Sequence, residues 1–441
     1  MEHQKINRKE EYKKIASGKK DMKYFKYLNS ETIMTNSEIY ALELIHLGTR
    51  FTNSKDSSWV SYDDETKLFL TQYDNQFTTY LSRFINNNHF VLHKLVKQLV
   101  ANDTDEFEIE NLKKLSKTFK SSKYLTDIKT SIKGCLYDTD FDLKLNSAND
   151  LLPLKNGKII NLKTLEIRDR THRDLFTFEC PVSFVKETPH ADKFFKDLMP
   201  KTEEREYLRK ILGYQLTGDT SGRLFCIWYG NGSNGKGKVI SVLKKILGKF
   251  YTEADKAVFC KQQNTSSGSA SPHLFALLNK RCIGYSEGET SDNFELNESV
   301  CKQISGEDDI SCRGLFKDQI TFKSIGKLNF LTNHIPKLSG EKAVKDRLRL
   351  ISFKQEFADN PKKGQKKRDP DFVNKIETIY LDEVFSWMVK GSKEYFKDMM
   401  INMPKSFEDE TEEMLSKEDS ITSFFKNIMV ITKDNKDIIK R

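Results

Sequence analysis

Apolar residues recur at helical spacing in the first part of the chain. Positions that fit i, i+3, i+4 and i+7 spacing are Tyr80, Leu81, Phe84, Ile85, Val91, Leu92, Leu95, Val96 and Leu99. An alternating island over residues 58–63 and 67–70 predicts a short hairpin inside this region. Strand and turn patterns then occupy residues 151–184, and helical spacing returns over residues 191–215. The first 190 residues are therefore predicted to form a mainly helical N-terminal domain.

Four short apolar runs mark the middle of the chain. They cover residues 224–229, 282–285, 328–331 and 348–351, and each is too short for a helix. Continuous apolar runs of this length are typical of strands buried on both faces of a parallel sheet. Between the first two runs lies one helix face, closed by Gly248 and formed by Val239, Val242, Leu243, Ile246 and Leu247. Alternating strands and helices predict an α/β core over residues 191–355, followed by a helical C-terminal domain over 356–441.

Composition narrows the class of protein. The chain has 441 residues, with 73 Lys+Arg against 64 Asp+Glu and a net charge of +9. Its seven cysteines show no Cys-x-x-Cys spacing, which favours buried free thiols in a reducing compartment over disulfides or a zinc site. No signal peptide is visible, and no run reaches the ~20 apolar residues of a membrane span. We expect a soluble intracellular protein, and its positive charge is compatible with a polyanionic partner.

A glycine-rich turn directly follows the first apolar run. It satisfies the pattern G-x-x-x-x-G-K, and the predicted nucleotide-binding residues are Gly230, Asn231, Gly232, Ser233, Asn234, Gly235, Lys236, Gly237 and Lys238. Backbone N–H groups of such a loop surround phosphates, the lysine reaches the β/γ oxygens, and the following helix adds the positive end of its dipole. A chance Gly/Asn-rich turn is the alternative. Gly237 occupies the position where a Ser or Thr hydroxyl normally binds Mg²⁺, so nucleotide binding is a safer prediction than fast hydrolysis.

Polar residues follow the next two predicted strands. Glu287 and Glu289 come after the run at 282–285, where carboxylates at the carboxyl edge of a parallel sheet would face the phosphates. We expect Glu287 to polarise the attacking water and support Mg²⁺, with Glu289 as its second or substitute; a solvated acidic turn is the alternative. Asn333 ends the run at 328–331, where an amide could orient water, although it could also be a simple turn residue before Pro336.

Two Asp-x-Asp pairs resemble carboxylate spacings of two-metal sites. They are Asp103 with Asp105 and Asp138 with Asp140, and neither lies in a sheet pattern or near a partner histidine. Solvated loops explain them better, so we predict no primase activity in this chain.

The order of these pieces resembles the superfamily 3 helicase module of poxvirus-type and phage or plasmid primase-helicases. The matching segments, after the Gly-x-Gly-x-Asn-Gly-Lys loop, are Arg281-Cys-Ile-Gly-Tyr-Ser-Glu287, Lys302-Gln-Ile-Ser-Gly306-Glu-Asp308-Asp-Ile-Ser-Cys-Arg313, Leu331-Thr-Asn333-His-Ile-Pro336 and Asp346-Arg347-Leu-Arg349-Leu-Ile-Ser-Phe353. Similarity extends over about residues 140–425, through Leu154-Lys-Asn156-Gly157, Leu212-Gly-Tyr-Gln-Leu-Thr-Gly218-Asp219 and Ser386-Trp387-Met-Val-Lys-Gly391. Several spaced motifs in the right order are more specific than one loop.

The resemblance implies an AAA+ P-loop ATPase core in a ring, most often a hexamer, that moves single-stranded or forked DNA through its centre. It assigns the polar sensor to Asn333 and the arginine offered to a neighbouring subunit to Arg347. Where the family tends to have two arginines, this chain has Asp346 and Arg347, with Arg349 as a reserve. A salt bridge from Arg347 to Asp346 within one subunit is the alternative.

A predicted hairpin between the acidic and sensor strands completes the implied site. In the resembling family such a hairpin lines the DNA channel, which points to Lys317, with Arg313 and Phe316 nearby, as DNA-binding residues. A lysine and an aromatic ring could contact a phosphate and a base without reading sequence. An ordinary surface hairpin is the alternative.

The sequence thus predicts an ATP- and Mg²⁺-dependent DNA helicase of a virus or mobile element. Primase and polymerase are conceivable partners, no membrane is expected, and the site of action would be the host cytoplasm or nucleus. Two other functions stay open: a small-molecule P-loop kinase, and a nucleotide-dependent loading scaffold in which Gly237 weakens hydrolysis.

Overall fold

The computed structural model describes residues 44, 49–53, 58–83, 110, 121–138, 141–259, 272–286, 296–314, 319–334 and 342–418. The chain forms two compact units. The first comprises Met1–Leu145 with Thr171–Thr177, and the second comprises Asn146–Arg170 with Phe178–Arg441. The division into domains at residues 190 and 355 stays a prediction.

The first unit contains a small antiparallel sheet. Its strands, in the order β1-β2-β3, are Arg50–Asn53, Ser58–Asp63 and Leu68–Gln72. Helices α1 to α3 cover residues 74–83, Ser122–Leu136 and Phe141–Lys144, and a 3₁₀ turn covers His172–Asp174. Trp59 stacks on Phe77 with ring centroids 3.5 Å apart, and Phe69 packs edge-on against Phe141. The predicted hairpin is confirmed, whereas β1 was not predicted.

The second unit begins with an antiparallel meander. Strands β4, β5 and β6 cover Leu151–Leu154, Lys158–Asn161 and Ile167–Asp169. Asn156 and Gly157 have φ values of +62° and +67° in the turn between β4 and β5, a conformation that Asn and Gly adopt most readily. The strand and turn pattern predicted for residues 151–184 is confirmed.

A five-stranded parallel sheet lies at the centre of the second unit. Its strands are β7 Phe225–Tyr229, β8 Tyr251–Glu253, β9 Cys282–Ser286, β12 Lys327–Thr332 and β13 Leu348–Ser352. Their order is β13-β7-β12-β9-β8, and all neighbouring pairs are parallel. Every residue of β12 is buried, as expected for a strand covered on both faces. The predicted α/β class is therefore confirmed.

Helices flank this sheet, and two short strand pairs lie outside it, one antiparallel and one parallel. The helices are α4 Pro189–Leu198, α5 Thr202–Leu216, α6 Lys236–Leu247, α7 Lys256–Phe259, α8 Pro272–Phe275, α9 Glu298–Ser305, α10 Lys342–Arg347, α11 Pro370–Ile376, α12 Leu381–Asp398 and α13 Lys405–Glu418. The remaining strands are β10 Asp309–Arg313, which pairs with β11 Gln319–Lys323, and β14 Phe357–Ala358, which pairs with β15 Lys366–Lys367. A 3₁₀ turn at Gly248–Phe250 ends α6 where Gly248 predicted it.

Two glycines let α5 and α12 pack in direct backbone contact. A Cβ at Gly213 would lie 2.1 Å from the Ser392 nitrogen, and one at Gly391 would lie 2.0 Å from the Arg209 carbonyl oxygen. Any larger residue would push the helices apart. Trp387 of α12 also stacks on Phe195 of α4, with centroids 3.8 Å apart. The C-terminal helices are thereby part of the same packed body as the sheet.

Candidate nucleotide-binding site

The carboxyl ends of the central strands lie level with one another. Thr332 and Ser352 both align with Tyr229, the last residue of β7, and Ser286 aligns with Leu331. The predicted loop therefore begins at the edge where Asn333 follows β12. The chain leaves β7 toward β8 but returns from β12 across β7 to β13. Ligands of open parallel sheets bind at such an edge, where connections depart in opposite directions.

The glycine-rich turn adopts backbone conformations that its glycines allow. Gly232 and Gly235 have φ values of +94° and +78°. The N–H of Gly232 donates to the carbonyl of Gly230 at 2.9 Å, which closes the turn tightly. Gly235 is the N-cap of α6, so the positive end of that helix dipole points to the loop. This is an arrangement suited to an anion.

Asn234 fixes the loop against β13. Its side chain is 3% exposed, donates from Nδ2 to the Phe353 carbonyl at 3.3 Å, and accepts from the Lys236 N–H at 3.3 Å. A Cβ at Gly230 would lie 2.0 Å from that Nδ2 atom. Only glycine at position 230 leaves room for the Asn234 amide, so these two residues determine the shape of the loop together.

Lys236 is buried at the centre of the edge. The residue is only 8% exposed. Its Nζ donates to Gly230 O at 3.2 Å, Thr332 O at 2.5 Å and Asn333 Oδ1 at 2.9 Å. The ammonium thus joins the loop to the end of β12. Two of its acceptors are backbone carbonyls, and because every residue has a carbonyl these contacts could not be predicted from the sequence.

The remaining loop residues face solvent. Asn231, Gly237 and Lys238 are exposed, and no atom lies within 4 Å of a Cβ built on Gly237. Lys238 Nζ lies 3.4 Å from Glu377 Oε1, and Lys245 lies 3.3 Å from the other carboxylate oxygen. Burial raises the pKa of Glu377, but hydrogen bonds and charges, including those of both lysines, outweigh burial and hold that pKa below its usual range.

Arg347 ends α10 just before the edge strand β13. It is half-buried, and its Nη1 donates to the Ala343 carbonyl at 2.9 Å. Within the described part of the chain it forms no ion pair with Asp346, whose side chain is exposed. Arg349 is held by the Ile401 and Asp346 carbonyls, both at 2.9 Å. Arg349 is therefore poorly placed as a reserve for Arg347.

Several predicted site residues lie outside the described residues. These are Glu287, Glu289, Phe316 and Lys317. The strand before the glutamates ends at Ser286, and β10 and β11 pair in register from Asp309 with Lys323 to Arg313 with Gln319. The two predicted hairpin strands are thus confirmed, and Arg313 is exposed at the end of β10.

A buried polar network beneath the loop was not predicted from the sequence. Asn329 Oδ1 accepts from Trp228 Nε1 at 2.9 Å, and Asn329 Nδ2 donates to Gln215 Oε1 at 2.9 Å and to Cys282 Sγ at 3.3 Å. Trp228 in turn stacks on Phe353. Buried polar groups need such partners, and here they link α5, β7, β9 and β12. The sequence offered one signal of this network, the polar residue Asn329 within the apolar run at 328–331.

None of the described helices has the length and apolar character needed to cross a bilayer. The described cysteines are all free thiols, and all but Cys135 are buried.

Comparison with known proteins identifies viral relatives. A family of unknown function, DUF5906, matches residues 228–348. The chain is 26% identical over 368 residues to "Putative helicase L207/L206" of Acanthamoeba polyphaga mimivirus, which covers 79% of this chain and 38% of the relative. It is 25% identical over 340 residues to "Putative primase C962R" of African swine fever virus, covering 71% of this chain and 35% of the relative. It is 23% identical over 331 residues to "Putative helicase 184R" of Invertebrate iridescent virus 6, covering 67% of this chain and 34% of the relative.

These relatives confirm the expected similarity to viral primase-helicases, at about 25% identity. The chain spans little more than a third of the length of the relatives named above. Among solved structures, the apo A form of the C-terminal region of NrS-1 is similar, with 14% identity, a TM-score of 0.39 and 56% coverage of each chain.

Proposed function

We propose that this chain is an ATP-dependent, ring-forming DNA helicase of superfamily 3, with an AAA+ P-loop core. It would translocate on single-stranded DNA during replication of a viral or mobile-element genome. The observation that carries the proposal is the buried Lys236 ammonium, held between the glycine-rich loop and Asn333 at the carboxyl edge of the parallel sheet. The viral relatives named as helicases and primases support a role in replication.

The loop residues Gly230–Lys238 would hold the triphosphate. The glycine conformations, the α6 N-terminus and the Lys236 ammonium are all suited to phosphate oxygens. Asn333 would orient the attacking water through its amide. Glu287 would polarise that water and support Mg²⁺, with Glu289 as its second or substitute.

The described residues provide only part of a magnesium site. Gly237 has no side-chain oxygen, and no group of three His, Cys, Asp or Glu able to hold a metal occurs among the described residues. We assign the ligands of the ion to phosphate oxygens, water and Glu287. When bound, Mg²⁺ neutralises charge on the phosphates.

Arg347 would act on the nucleotide of the neighbouring subunit. A head-to-tail interface of this kind closes into a ring, of which a hexamer is the expected form. Arg347 makes no ion pair with a described carboxylate that would have to be broken for this role. In the centre of the ring, Lys317, with Arg313 nearby, would contact DNA phosphates, and Phe316 would contact a base or sugar.

ATPase assays with and without single-stranded DNA test the proposal. We expect hydrolysis that single-stranded DNA stimulates and that Lys236→Ala abolishes. Lys244→Ala is the matched control, because Lys244 lies on the same helix but pairs with Glu253 at the surface. Turnover indifferent to DNA would favour a small-molecule kinase, and nucleotide binding without turnover would favour a loading scaffold.

Images of the protein with nucleotide test the ring itself. Closed rings support the assignment of Arg347, whereas monomers that hydrolyse ATP at full rate would contradict it. The intracellular site of action, the three-domain division and the association with primase or polymerase remain parts of this proposal.

A further inference from the structure

A basic loop, residues 359–369, follows the edge strand β13. Its sequence is Asp-Asn-Pro-Lys-Lys-Gly-Gln-Lys-Lys-Arg-Asp, in which five residues are Lys or Arg and none is aromatic or a Val, Leu, Ile or Met. Every residue is exposed except Gln365 and Lys366, which are half-buried. Apolar packing therefore does not hold this loop against the protein.

Hydrogen bonds give the basic loop a fixed shape instead. Gln365 donates from Nε2 to Glu356 Oε2 at 2.8 Å and accepts at Oε1 from the Lys362 N–H at 3.0 Å. Gln355 donates to the Gly364 carbonyl at 3.1 Å, and Gly364 has a φ of +92°, which favours glycine. The loop is thus ordered before any partner binds, and this preorganisation lowers the entropy cost of binding.

Two contacts fix the base of the loop to the rest of the second unit. The Lys366 ammonium donates to the carbonyl and to the carboxylate of Asp197 on α4, both at 3.0 Å. The N–H of Phe357 donates to the Ser233 carbonyl of the glycine-rich turn at 2.9 Å. Lys366 thereby has a structural role, whereas the other four cations of the loop are exposed.

Three lysines of the basic loop have no carboxylate to neutralise them. Lys362, Lys363 and Lys367 form no ion pair with any residue in the described part of the chain. Arg368 lies 3.4 Å from Asp359, but both side chains are exposed, and exposed pairs contribute little. The loop therefore presents a positive surface suited to a partner that carries several negative charges.

The composition of the loop favours duplex DNA among such partners. Single strands are usually held by aromatic rings on which bases stack, and protein partners by aromatic or apolar residues at the centre of the interface. The loop has neither. Duplex DNA carries one charge per about 1.7 Å of helix axis, and lysines alone contact its phosphates without reading sequence.

The basic loop is also distinct from the predicted DNA-binding hairpin. The loop follows β13 at one edge of the central sheet, whereas β10 and β11 lie between β9 and β12 in the chain. A DNA contact at the loop would therefore be additional to the one proposed for the hairpin.

We propose that the basic loop binds the phosphate backbone of duplex DNA, without sequence preference, through Lys362, Lys363 and Lys367. In a helicase this duplex would be the part of the substrate that has not yet been unwound. The choice of DNA rests on the proposed function of the chain, whereas the positive surface does not.

Fluorescence anisotropy with a labelled blunt duplex and a labelled single strand, over a range of salt concentrations, tests the assignment. A variant that combines Lys362→Ala, Lys363→Ala and Lys367→Ala should bind the duplex about tenfold more weakly or worse. Each single substitution should lower the slope of log affinity against log salt by about 0.9, the value for one phosphate contact. Affinity for the single strand should change much less.

The matched control removes the same charge elsewhere. It combines Lys186→Ala, Lys393→Ala and Lys397→Ala, three exposed lysines of the second unit, and should bind the duplex as the wild type does. Replacing the three loop lysines by arginine should preserve duplex binding, because a phosphate contact of this kind needs only the charge. Thermal unfolding of every variant checks that the fold is intact.

The outcomes separate this proposal from the proposed function. Equal loss in the loop variant and the control variant would overturn the duplex site, because net charge alone would then explain binding. Unchanged duplex affinity, or a loss confined to the single strand, would overturn it as well. The helicase proposal survives these results if single-stranded DNA still stimulates ATP hydrolysis by the wild type. Duplex binding that depends on the loop, in a protein whose ATPase ignores single-stranded DNA, would overturn the helicase and keep the duplex site.

Discussion

The amide oxygen of Asn333 lies 2.9 Å from the ammonium nitrogen of Lys236. This contact joins the residue that follows the buried strand β12 to the residue that begins α6. Both side chains come from separate motifs, nearly a hundred positions apart, and the parallel register of β7 and β12 brings them together. We therefore expect a change at Asn333 to affect kcat and nucleotide affinity to different extents.

Asn333→Ala should lower kcat with little effect on nucleotide affinity. Lys236 would keep its two carbonyl acceptors, so the loop would stay formed, whereas under the proposed function the attacking water would lose its orienting amide. Loss of one positioned hydrogen-bonding group in an active site typically costs about 10²–10³ in kcat. Steady-state ATPase kinetics separate the effect on kcat from the effect on KM, and His334→Ala is the control. A raised KM with unchanged kcat would contradict the role.

Gly237→Ser should raise the affinity of the nucleotide complex for Mg²⁺. No atom lies within 4 Å of a Cβ at this position and its φ is not positive, so the side chain fits without strain. Its hydroxyl restores a ligand that phosphate loops normally provide. We expect half-maximal ATPase activity at lower Mg²⁺ in titrations.

Gly237→Ala is the matched control, because it adds the same carbon without the oxygen. If Ser and Ala variants give the same Mg²⁺ titration as the wild type, residue 237 is not at the metal position and the loop is misassigned.

Arg347→Ala should abolish ATPase activity. A second variant that keeps Arg347 should restore the activity in trans when the two proteins are mixed. An arginine supplied by a neighbouring subunit typically contributes about 10³–10⁵ in rate. Mixing inactive Arg347→Ala with inactive Lys236→Ala should recover activity, because some interfaces then combine an intact loop with an intact arginine. Lys345→Ala, at an exposed position of the same helix, should be fully active alone. Mixtures that stay inactive would place Arg347 within its own subunit.

Alkaline pH should destabilise the protein through its buried thiols. Burial raises the pKa of Cys180 and of Cys226 to about 12. Because these folded pKa values exceed the unfolded value near 9, their contribution is complete below about pH 9 and is lost as the pH rises toward 12. Lys327, whose pKa is held well below its usual range by burial and by Arg281, acts with the opposite sign, as do Arg281 and Lys280, whose pKa values burial also lowers. These cations are outnumbered by the buried thiols and tyrosines, such as Cys282 and Tyr251, whose pKa values burial raises.

Urea unfolding between pH 8 and 11 measures this effect. Cys226→Ala should make the fall in unfolding free energy shallower by about 1.4 kcal/mol per pH unit above pH 9, the value for one proton. Cys135→Ala removes an exposed thiol and is the control. An unchanged slope in Cys226→Ala would show that this thiol ionises equally in both states.

The sheet was predictable because its strands are short, apolar and buried on both faces. Phe225–Tyr229, Cys282–Ser286 and Leu348–Ser352 each match a predicted run closely. Tyr251–Glu253 was missed because a three-residue edge strand has too short a pattern to distinguish from a loop.

The candidate site could be predicted only where a motif marks it. The pattern from Gly230 to Lys236 marks the glycine-rich loop, the resemblance points to Asn333, and their roles stay predictions. The backbone acceptor Thr332 O and the packing of Asn234 against the Phe353 carbonyl depend on tertiary register, which leaves no mark on residue identity.

Trp228 stands two positions before Gly230, with its indole bonded to Asn329 and stacked on Phe353. The chain has three tryptophans, and the other two are Trp59 and Trp387. With those two replaced by phenylalanine, the protein would contain a single tryptophan, which lies directly beneath the glycine-rich loop. Its emission would then report loop occupancy in real time without any attached dye.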